Sequence, residues 1–244
     1  MRFEYCMPDT VAKIKKNRLP LVFAGGTIEY HGAHCGLGCD TMIVEGLLCE
    51  LEKRKEIVIA PPVWYSPSSY AVADESSSTV HVEENSFENY VYYIYKSFLA
   101  SGYRNIYTVI HHQFEQESLM PMTLSYMKAA KRATMDFLEK TRGQGWWGSD
   151  KSKEYYNQLD SSDNPFSWIK VIPTMNKAVQ DATGYDHAGK FETSLLMALY
   201  PDAVDLSKVS SISHWYTESA KEASASLGKK MADLALDYLE KTIV

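Results

Sequence analysis

Short apolar runs alternate with longer amphipathic segments along most of the chain. Four such runs are LPLVFAGG (19–26), EIVIAPPVWY (56–65), NIYTVIHH (105–112) and SWIKVIPT (167–174). Their length, and the glycines, prolines or polar residues that bound them, are typical of buried β-strands. The pattern therefore predicts four strands, separated by long stretches of another kind.

The stretches between the strands carry apolar residues at helical spacing. Ile43, Leu47 and Leu51 fall on one face of 41–55. Helices are also predicted in three further segments, 85–102, 124–140 and 218–241, the last as a surface helix. Strands alternating with helices predict parallel crossovers and an α/β fold with a layered sheet. We expect one domain spanning residues 1–244, a common size for α/β folds.

One segment, 141–168, does not follow this alternation of strands and helices. It carries three tryptophans and three glycines among many polar residues, without a clear period. A long irregular insertion in a compact domain is either disordered or a functional lid. The adjacent Trp146 and Trp147 favour a lid, because disordered segments are poor in aromatic residues. Burial of the pair at a subunit interface is the alternative, since interfaces are enriched in aromatic residues.

The overall charge indicates which kinds of molecule the protein binds. The formal net charge is −6, and the sequence has no long basic cluster, which argues against a nucleic-acid surface and favours small polar substrates.

No run approaches the roughly 20 apolar residues that span a bilayer, and the amino terminus lacks the apolar core of a signal peptide. We therefore expect no membrane contact, a cytoplasmic location and reduced thiols at the four cysteines. Cys35 and Cys39 have no second pair with matching spacing and are interpreted as ordinary loop residues.

Polar residues with ligand chemistry follow the first predicted strand. Glu29 and His31 lie two positions apart, so in an extended chain their side chains point to the same side, and Asp40 stands at the head of the next helix. Carboxylate and imidazole groups suit zinc or manganese. A polar loop in which Asp40 only caps the helix is the alternative.

Two further clusters occupy comparable positions. The third strand ends in His111, His112 and Gln113, with Glu115 close behind. A later loop-to-helix segment, HAGKFETS, carries two more candidates, His187 and Glu192. Because ligand crevices form at the carboxyl ends of parallel strands, the three clusters together favour a dinuclear metal hydrolase site.

These motifs resemble those of a known family. GGTIEYHGAHCGLGCDT (25–41) resembles the signature of the creatininase, or creatinine amidohydrolase, family, roughly G-x-x-E-Q-H-G-P-H-L-P-L-x-T-D. HAGKFETS (187–194) matches the H-A-G-x-x-E-T-S element of that family. The resemblance runs from about Leu19 to Leu206. It implies a three-layer α/β/α fold around a mainly parallel sheet, and a homo-oligomer, often a hexamer.

The resemblance also implies roles for individual residues. Two divalent ions, zinc or manganese with iron as a further candidate, would share Asp40, with Glu29 on one ion and His31 on the other. His187 would act as the acid and base at the leaving nitrogen, and Glu192 would support it or the metal shell. The aromatic insertion would cover the substrate. The candidate substrate-binding residues are Trp146, Trp147, Gln113 and Phe114.

The central motif departs from the family, which has N-G-H-G-G-N or N-G-H-Y-E-N. A match of IHHQFEQ without a gap sets Gln113 in place of the family's metal-binding histidine. A shift of one residue would restore His112 as the ligand instead. We expect His112 or His111 to reach one ion and Glu115 the other. This departure and Tyr30, where the family has glutamine, suggest a substrate other than creatinine.

The sequence thus predicts a metal-dependent amidohydrolase that cleaves a carbon–nitrogen bond of a small cyclic or linear amide. A divalent ion lowers the pKa of bound water toward about 7, which supplies the nucleophile at neutral pH. Deformylation or peptide trimming in a biosynthetic pathway is an alternative within enzymes. A metal-poor binding protein that keeps the fold is the alternative from another class.

Overall fold

A parallel β-sheet of four strands forms the centre of the molecule. The structure is a computed structural model that describes residues 1–72, 77–114, 120–158, 164–209 and 214–244. The strands are β1 (Leu21–Gly25), β2 (Val58–Val63), β3 (Ile106–Ile110) and β4 (Ile169–Pro173), in the order β2-β1-β3-β4. All three neighbouring pairs are parallel. The four predicted strands and their parallel pairing are confirmed.

Seven α-helices are found in the described part of the chain, and three of them connect consecutive strands. They are α1 (Pro8–Lys16), α2 (Cys39–Glu52), α3 (Glu84–Ala100), α4 (Pro121–Arg142), α5 (Lys177–Thr183), α6 (Lys190–Leu199) and α7 (Ala225–Thr242). The three helices predicted after the first three strands correspond to α2, α3 and α4. None of the helices in the described ranges is long and apolar enough to cross a membrane.

The helices cover both faces of the sheet. One hydrophobic cluster packs α3 and α4 against one face, with Phe87 and Tyr126 fully buried within it. The second cluster packs α2, α6 and α7 against the other face, with Leu47, Leu195 and Leu236 in its interior. Because every residue of β1 and β3 is buried between these layers, their sequences are continuous apolar runs. The predicted three-layer α/β/α fold is confirmed.

The strand order creates a crevice between β1 and β3. The connection from β1 to β2 runs through α2 on one face, and the connection from β2 to β3 runs through α3 on the other face. The two adjacent central strands therefore send their chains to opposite sides of the sheet. Such a switch point is where open α/β sheets bind ligands, at the carboxyl ends of the strands.

The carboxyl-terminal helix differs from its predicted bounds. Residues Trp215–Glu222 form a 3-10 helix, and Ala223 is extended. The α-helix begins only at Ala225, because the Ser224 hydroxyl accepts a hydrogen bond from the backbone N–H of Leu227 and caps the first turn. The helix is also more than a surface element, since part of one face is buried against α6 and the second cluster.

The irregular insertion starts where α4 ends. Short 3-10 turns occupy Trp146–Gly148, Asp150–Ser152 and Tyr155–Gln158. Residues 159–163 of the predicted insertion lie outside the described residues. Trp146 and Trp168 are both buried in the first cluster, and the Tyr155 ring centroid lies 6.4 Å from that of Trp146, so the segment is anchored to the core near both of its ends.

The contact between α6 and α7 gives a direct test of the packing. A Cβ atom at Gly228 would lie 1.8 Å from the Ser194 carbonyl oxygen, a backbone atom of the facing helix. We expect Gly228→Ala to force the helices apart and to lower the free energy of unfolding by about 1–3 kcal/mol, measured by urea denaturation. Gly148→Ala is the matched control, because a Cβ there meets nothing within 4 Å. Equal stability of the two variants would contradict this packing.

Candidate active site

The candidate site lies at the carboxyl ends of β1 and β3. Gly26, directly after β1, approaches the first turn of α2 so closely that a Cβ atom would lie 2.5 Å from the Thr41 backbone nitrogen. This close approach brings the loop after β1 back over the start of α2. Glu29 and His31 of that loop thereby lie beside Asp40, the second residue of α2. All three side chains are buried.

The Asp40 carboxylate is the centre of the cluster. Its Oδ1 atom lies 3.4 Å from His31 Nε2, and its Oδ2 atom lies 3.4 Å from His112 Nδ1. His112 comes from the end of β3, so the carboxylate joins the two central strand ends. Asp40 therefore presents one oxygen to each of two neighbouring groups of side chains.

The first group contains Glu29 and His112. Glu29 Oε2 lies 3.1 Å from His112 Nδ1, and the other carboxylate oxygen accepts a hydrogen bond of 3.0 Å from the Ser68 hydroxyl. The donor atoms of Glu29, Asp40 and His112 lie within 4.8 Å of one another. Carboxylate oxygens and an imidazole nitrogen at this spacing suit a divalent ion.

The second group contains His31 and Glu192. His31 Nε2 lies 3.5 Å from Glu192 Oε2 and also faces Asp40. His31 Nδ1 lies 3.0 Å from the Glu29 carbonyl oxygen, which can only accept a hydrogen bond. The proton of the neutral ring therefore stays on Nδ1 and leaves Nε2 available as a ligand.

Glu192 owes its position to the first turn of α6. Asp186 accepts hydrogen bonds from the backbone N–H groups of Phe191 and Glu192, at 3.1 and 3.0 Å, and so caps this helix. The Ala188 N–H donates to Glu192 Oε2 at 2.6 Å, from a residue with φ of 52°. A non-glycine residue in the left-handed region is held there by its surroundings, here at the edge of the site.

His187 lies beside the second group. Its Nε2 atom donates to the Tyr30 carbonyl oxygen at 3.1 Å, and its Nδ1 atom is 3.9 Å from Glu192 Oε2. Its ring packs against His31, with centroids 4.4 Å apart, and against Tyr216. Unlike His31, it is partly open to the cavity that it lines.

Charge pairing dominates the protonation of the cluster in the metal-free protein. Burial opposes the charged form of His112, but Asp40 and Glu29 outweigh it and raise its pKa to about 10. Burial likewise opposes ionisation of Glu192, but His31, His111 and His187 lower its pKa to about 2. The pKa of His31 is raised well above its usual value, and that of Asp40 is lowered well below it, for the same reason. His31 and His112 are therefore cationic, and Asp40 and Glu192 are anionic, at neutral pH.

The cluster has the donor atoms to hold a metal ion. His31 Nε2, Asp40 Oδ2 and His112 Nε2 are buried and have no hydrogen-bond partner within the described ranges. Buried polar atoms without partners are rare unless an ion or water completes them. The donor atoms of Asp40, His111 and Glu192 also lie within 4.8 Å of one another. The donor chemistry of these residues suits divalent metal ions.

A cavity of about 170 Å³ opens over the second group. Its lining includes the titratable residues Asp40, His111, His112, His187 and Glu192. The lining also includes apolar and polar side chains, Ile110, Phe114, Pro173, Met175, Gln180 and Tyr185. The cavity has the size for a small ligand and brings such a ligand directly against the cluster.

The structure distributes the other predicted site residues differently. Gln113 has φ of 57° and turns away from the cluster, because its Oε1 accepts from the Met122 N–H at 2.9 Å. Phe114 lines the cavity, whereas Glu115 lies outside the described residues. Neither Trp146 nor Trp147 is among the described residues that line the cavity.

The cysteines also take specific positions. All four are free thiols, in agreement with the expectation from sequence. Cys39 is not a loop residue as predicted, because α2 begins at it and buries it completely. Its sulfur lies within 4.8 Å of the donor atoms of His31 and Glu192. Cys35 Sγ lies 3.6 Å from the Thr193 hydroxyl.

Three residues that support the site were not predicted from sequence. Ser68 binds Glu29, and Asp186 caps α6. Thr174 follows β4 and bonds His111. Only Asp186 carried a usable signal, since an aspartate shortly before a helical pattern is a typical capping residue.

Comparisons with known proteins agree with this architecture. The family model described as Creatininase: Creatinine amidohydrolase matches residues 4–237. A crystal structure of creatinine amidohydrolase superposes with a TM-score of 0.72 at 18% identity, covering 99% of this chain and 96% of that one. A form described as Creatininase Mn gives a TM-score of 0.72 at 16% identity, with the same coverage. A mutant creatininase of Zn-Zn type gives 0.73 at 18%, again covering 99% and 96%.

A curated relative comes from Thermotoga maritima and is named 3-dehydro-scyllo-inosose hydrolase. It is 22% identical over 265 residues, which cover 91% of this chain and 76% of the relative. The family match spans nearly the whole sequence and includes both motifs that carry the resemblance. The chain belongs to the creatininase family.

Proposed function

We propose that this protein is a metal-dependent amidohydrolase that cleaves a carbon–nitrogen bond of a small cyclic or linear amide. The observation that carries the proposal is the buried Asp40 carboxylate, with Glu29 and His112 at one oxygen and His31 and Glu192 near the other. Membership of the creatininase family supports the same chemistry. Zinc and manganese are the candidate ions, as in the related forms of Zn-Zn and Mn type.

Two groups of side chains would each hold one of the two proposed ions. Glu29 and His112 would hold one ion, His31 and Glu192 the other, and Asp40 would bridge them. Such ions supply a nucleophile at neutral pH and an electrophile for the carbonyl oxygen. The apolar wall formed by Phe114 and Tyr185 would orient the substrate and exclude bulk water.

His187 would carry the proton to the leaving nitrogen. Its Nε2–H is held by the Tyr30 carbonyl, so Nδ1 is the atom that exchanges a proton. Nδ1 lies on the side of Glu192 and the cavity. An imidazole ring can both accept and donate a proton, as transfer to the leaving nitrogen requires.

The position of the tryptophans bears on substrate access. Trp147 is about half exposed, and Trp146 packs in the first core cluster with Arg142 over its ring. Neither reaches the cavity of its own chain in the described structure. This arrangement supports the subunit-interface role over the lid, within the homo-oligomer that we infer for this chain.

The Thermotoga relative supports a second candidate function. Its name gives a cyclic ketone, rather than an amide, as the compound that it hydrolyses. The proposed donor set would polarise any carbonyl oxygen, whether a nitrogen or a carbon atom leaves. Hydrolysis of a small ring ketone is therefore the alternative, and parallel assays with amides and ring ketones separate the two.

Metal content is the first test. We expect about two zinc or manganese ions per chain by elemental analysis, and a loss of both in Asp40→Asn, because that carboxylate serves both positions. Glu50→Gln is the matched control, since Glu50 lies on the exposed side of the same helix and pairs with Lys53. Wild-type protein that binds no ion would refute metal dependence.

The role of His187 gives a second test. We expect His187→Ala to keep its metal content and to lose about 10²–10⁴-fold in kcat on the best amide of the panel, because the proton donor is missing. Added imidazole should restore part of the rate. Loss of metal from this variant would instead identify His187 as a ligand, which its position beside Glu29 and His31 would allow.

Proton release gives a third test. His112 has a pKa of about 10 in the metal-free protein, and the pKa of His31 is also raised, so both rings are protonated at neutral pH. Ion binding requires neutral rings, so we expect about two protons to leave per chain and affinity to rise from pH 6 to pH 9. Calorimetric titration with zinc in buffers of different ionisation enthalpy measures this number. No proton release at pH 7 would contradict the charge pairing.

A further inference from the structure

His111 occupies a position set by the register of the sheet. β3 and β4 pair in parallel with Ile110 opposite Pro173, so the next residues on each strand, His111 and Thr174, lie side by side. The Thr174 hydroxyl lies 2.9 Å from His111 Nδ1. On the other edge of the ring, His111 Nε2 lies 3.0 Å from Glu192 Oε1. A continuous chain of hydrogen bonds thus runs from β4 through the imidazole to the cluster.

Glu192, at one end of this series of hydrogen bonds, determines which atoms in the series are donors. The Glu192 carboxylate can only accept a hydrogen bond, because a carboxylate that binds an ion is deprotonated and has no hydrogen to donate. His111 Nε2 must therefore carry a proton, and in the neutral ring Nδ1 accepts from the Thr174 hydroxyl. A protonated ring nitrogen cannot bind an ion, so His111 in this state is a donor to Glu192 and not a ligand.

The two oxygens of Glu192 are consequently unequal. Oε1 accepts from His111, whereas Oε2 lies 3.5 Å from His31 Nε2 and accepts from the Ala188 N–H. Rotation of the carboxylate about its last side-chain bond would break both hydrogen bonds together. Oε2 is thus directed at the position that His31 and Asp40 share.

We propose that His111 is a positioning residue that fixes Glu192 as a one-oxygen ligand of the second ion position, with Thr174 holding the imidazole ring in turn. The inference rests on the proposed metal-dependent function. It adds a role for the first histidine of the pair that follows β3. Since Glu29 and His112 face the other oxygen of Asp40, the first position does not depend on His111.

The proposal is tested by measuring the two zinc-binding steps separately, through competition with a chromophoric chelator. We expect His111→Ala to weaken one of two binding steps by about 10–100-fold and to leave the other within about twofold, as for the loss of other outer hydrogen-bond partners. His111→Gln retains an N–H donor of similar reach and should return that step to within about threefold of wild type. Thr174→Val should weaken the same step by a smaller factor.

Thr141→Val is the matched control for the hydroxyl, because Thr141 bonds only backbone carbonyls of α4. Circular dichroism must be unchanged in every variant that is compared. If both zinc-binding steps of His111→Ala have the same affinities as those of the wild type, the positioning role is overturned. A step lost equally in His111→Ala and His111→Gln would overturn it as well, because His111 would then be a ligand itself. Wild-type protein that binds no zinc would refute the proposed function and this inference with it.

Discussion

The burial of the Asp40 carboxylate between His31 and His112 is the interaction on which the site depends. A lone carboxylate in this position would be strongly destabilised by the loss of water. The two imidazoles offset that penalty, and they come from the ends of different strands. Each of the three groups is therefore held in its charged form by the others in the metal-free protein. Divalent ions would replace the two imidazole protons as the positive charge.

The helices of the fold also favour the charged form of the carboxylates in the cluster. Asp40 and Glu192 both lie in the first turn of a helix, α2 and α6 respectively, where the helix dipole and free N–H groups favour a negative charge. Both helices belong to the same layer and contact each other. The parallel register of β1 and β3 brings the histidines between these two helix ends. Asp40 and Glu192 thus come from one helical layer, whereas Glu29, His31 and His112 come from the segments that follow β1 and β3.

The comparison with the family explains which features are shared and which differ. The loop after β1 and the segment from His187 to Ser194 retain the residue types of the family motifs. The motif after β3 does not, yet His112 lies against Glu29 and Asp40, where a metal-binding histidine is needed. Gln113 adopts the left-handed conformation, and its side chain turns away from the cluster to bond the Met122 N–H. His112, rather than Gln113, therefore lies beside Glu29 and Asp40, and the neighbouring His111 bonds Glu192.

The sequence by itself determined the alternation of strands and helices, the three-layer fold and the family, because apolar periodicity and local motifs are properties of short segments. It also supplied the candidate donors Glu29, His31 and Asp40, which lie within one loop and helix start. Only the tertiary structure decided between His111, His112 and Gln113, because a single backbone turn sets which side chain faces Asp40. The bond between His111 and Glu192 joins residues 81 positions apart. Contacts across such separations depend on register and helix packing, which no local pattern encodes.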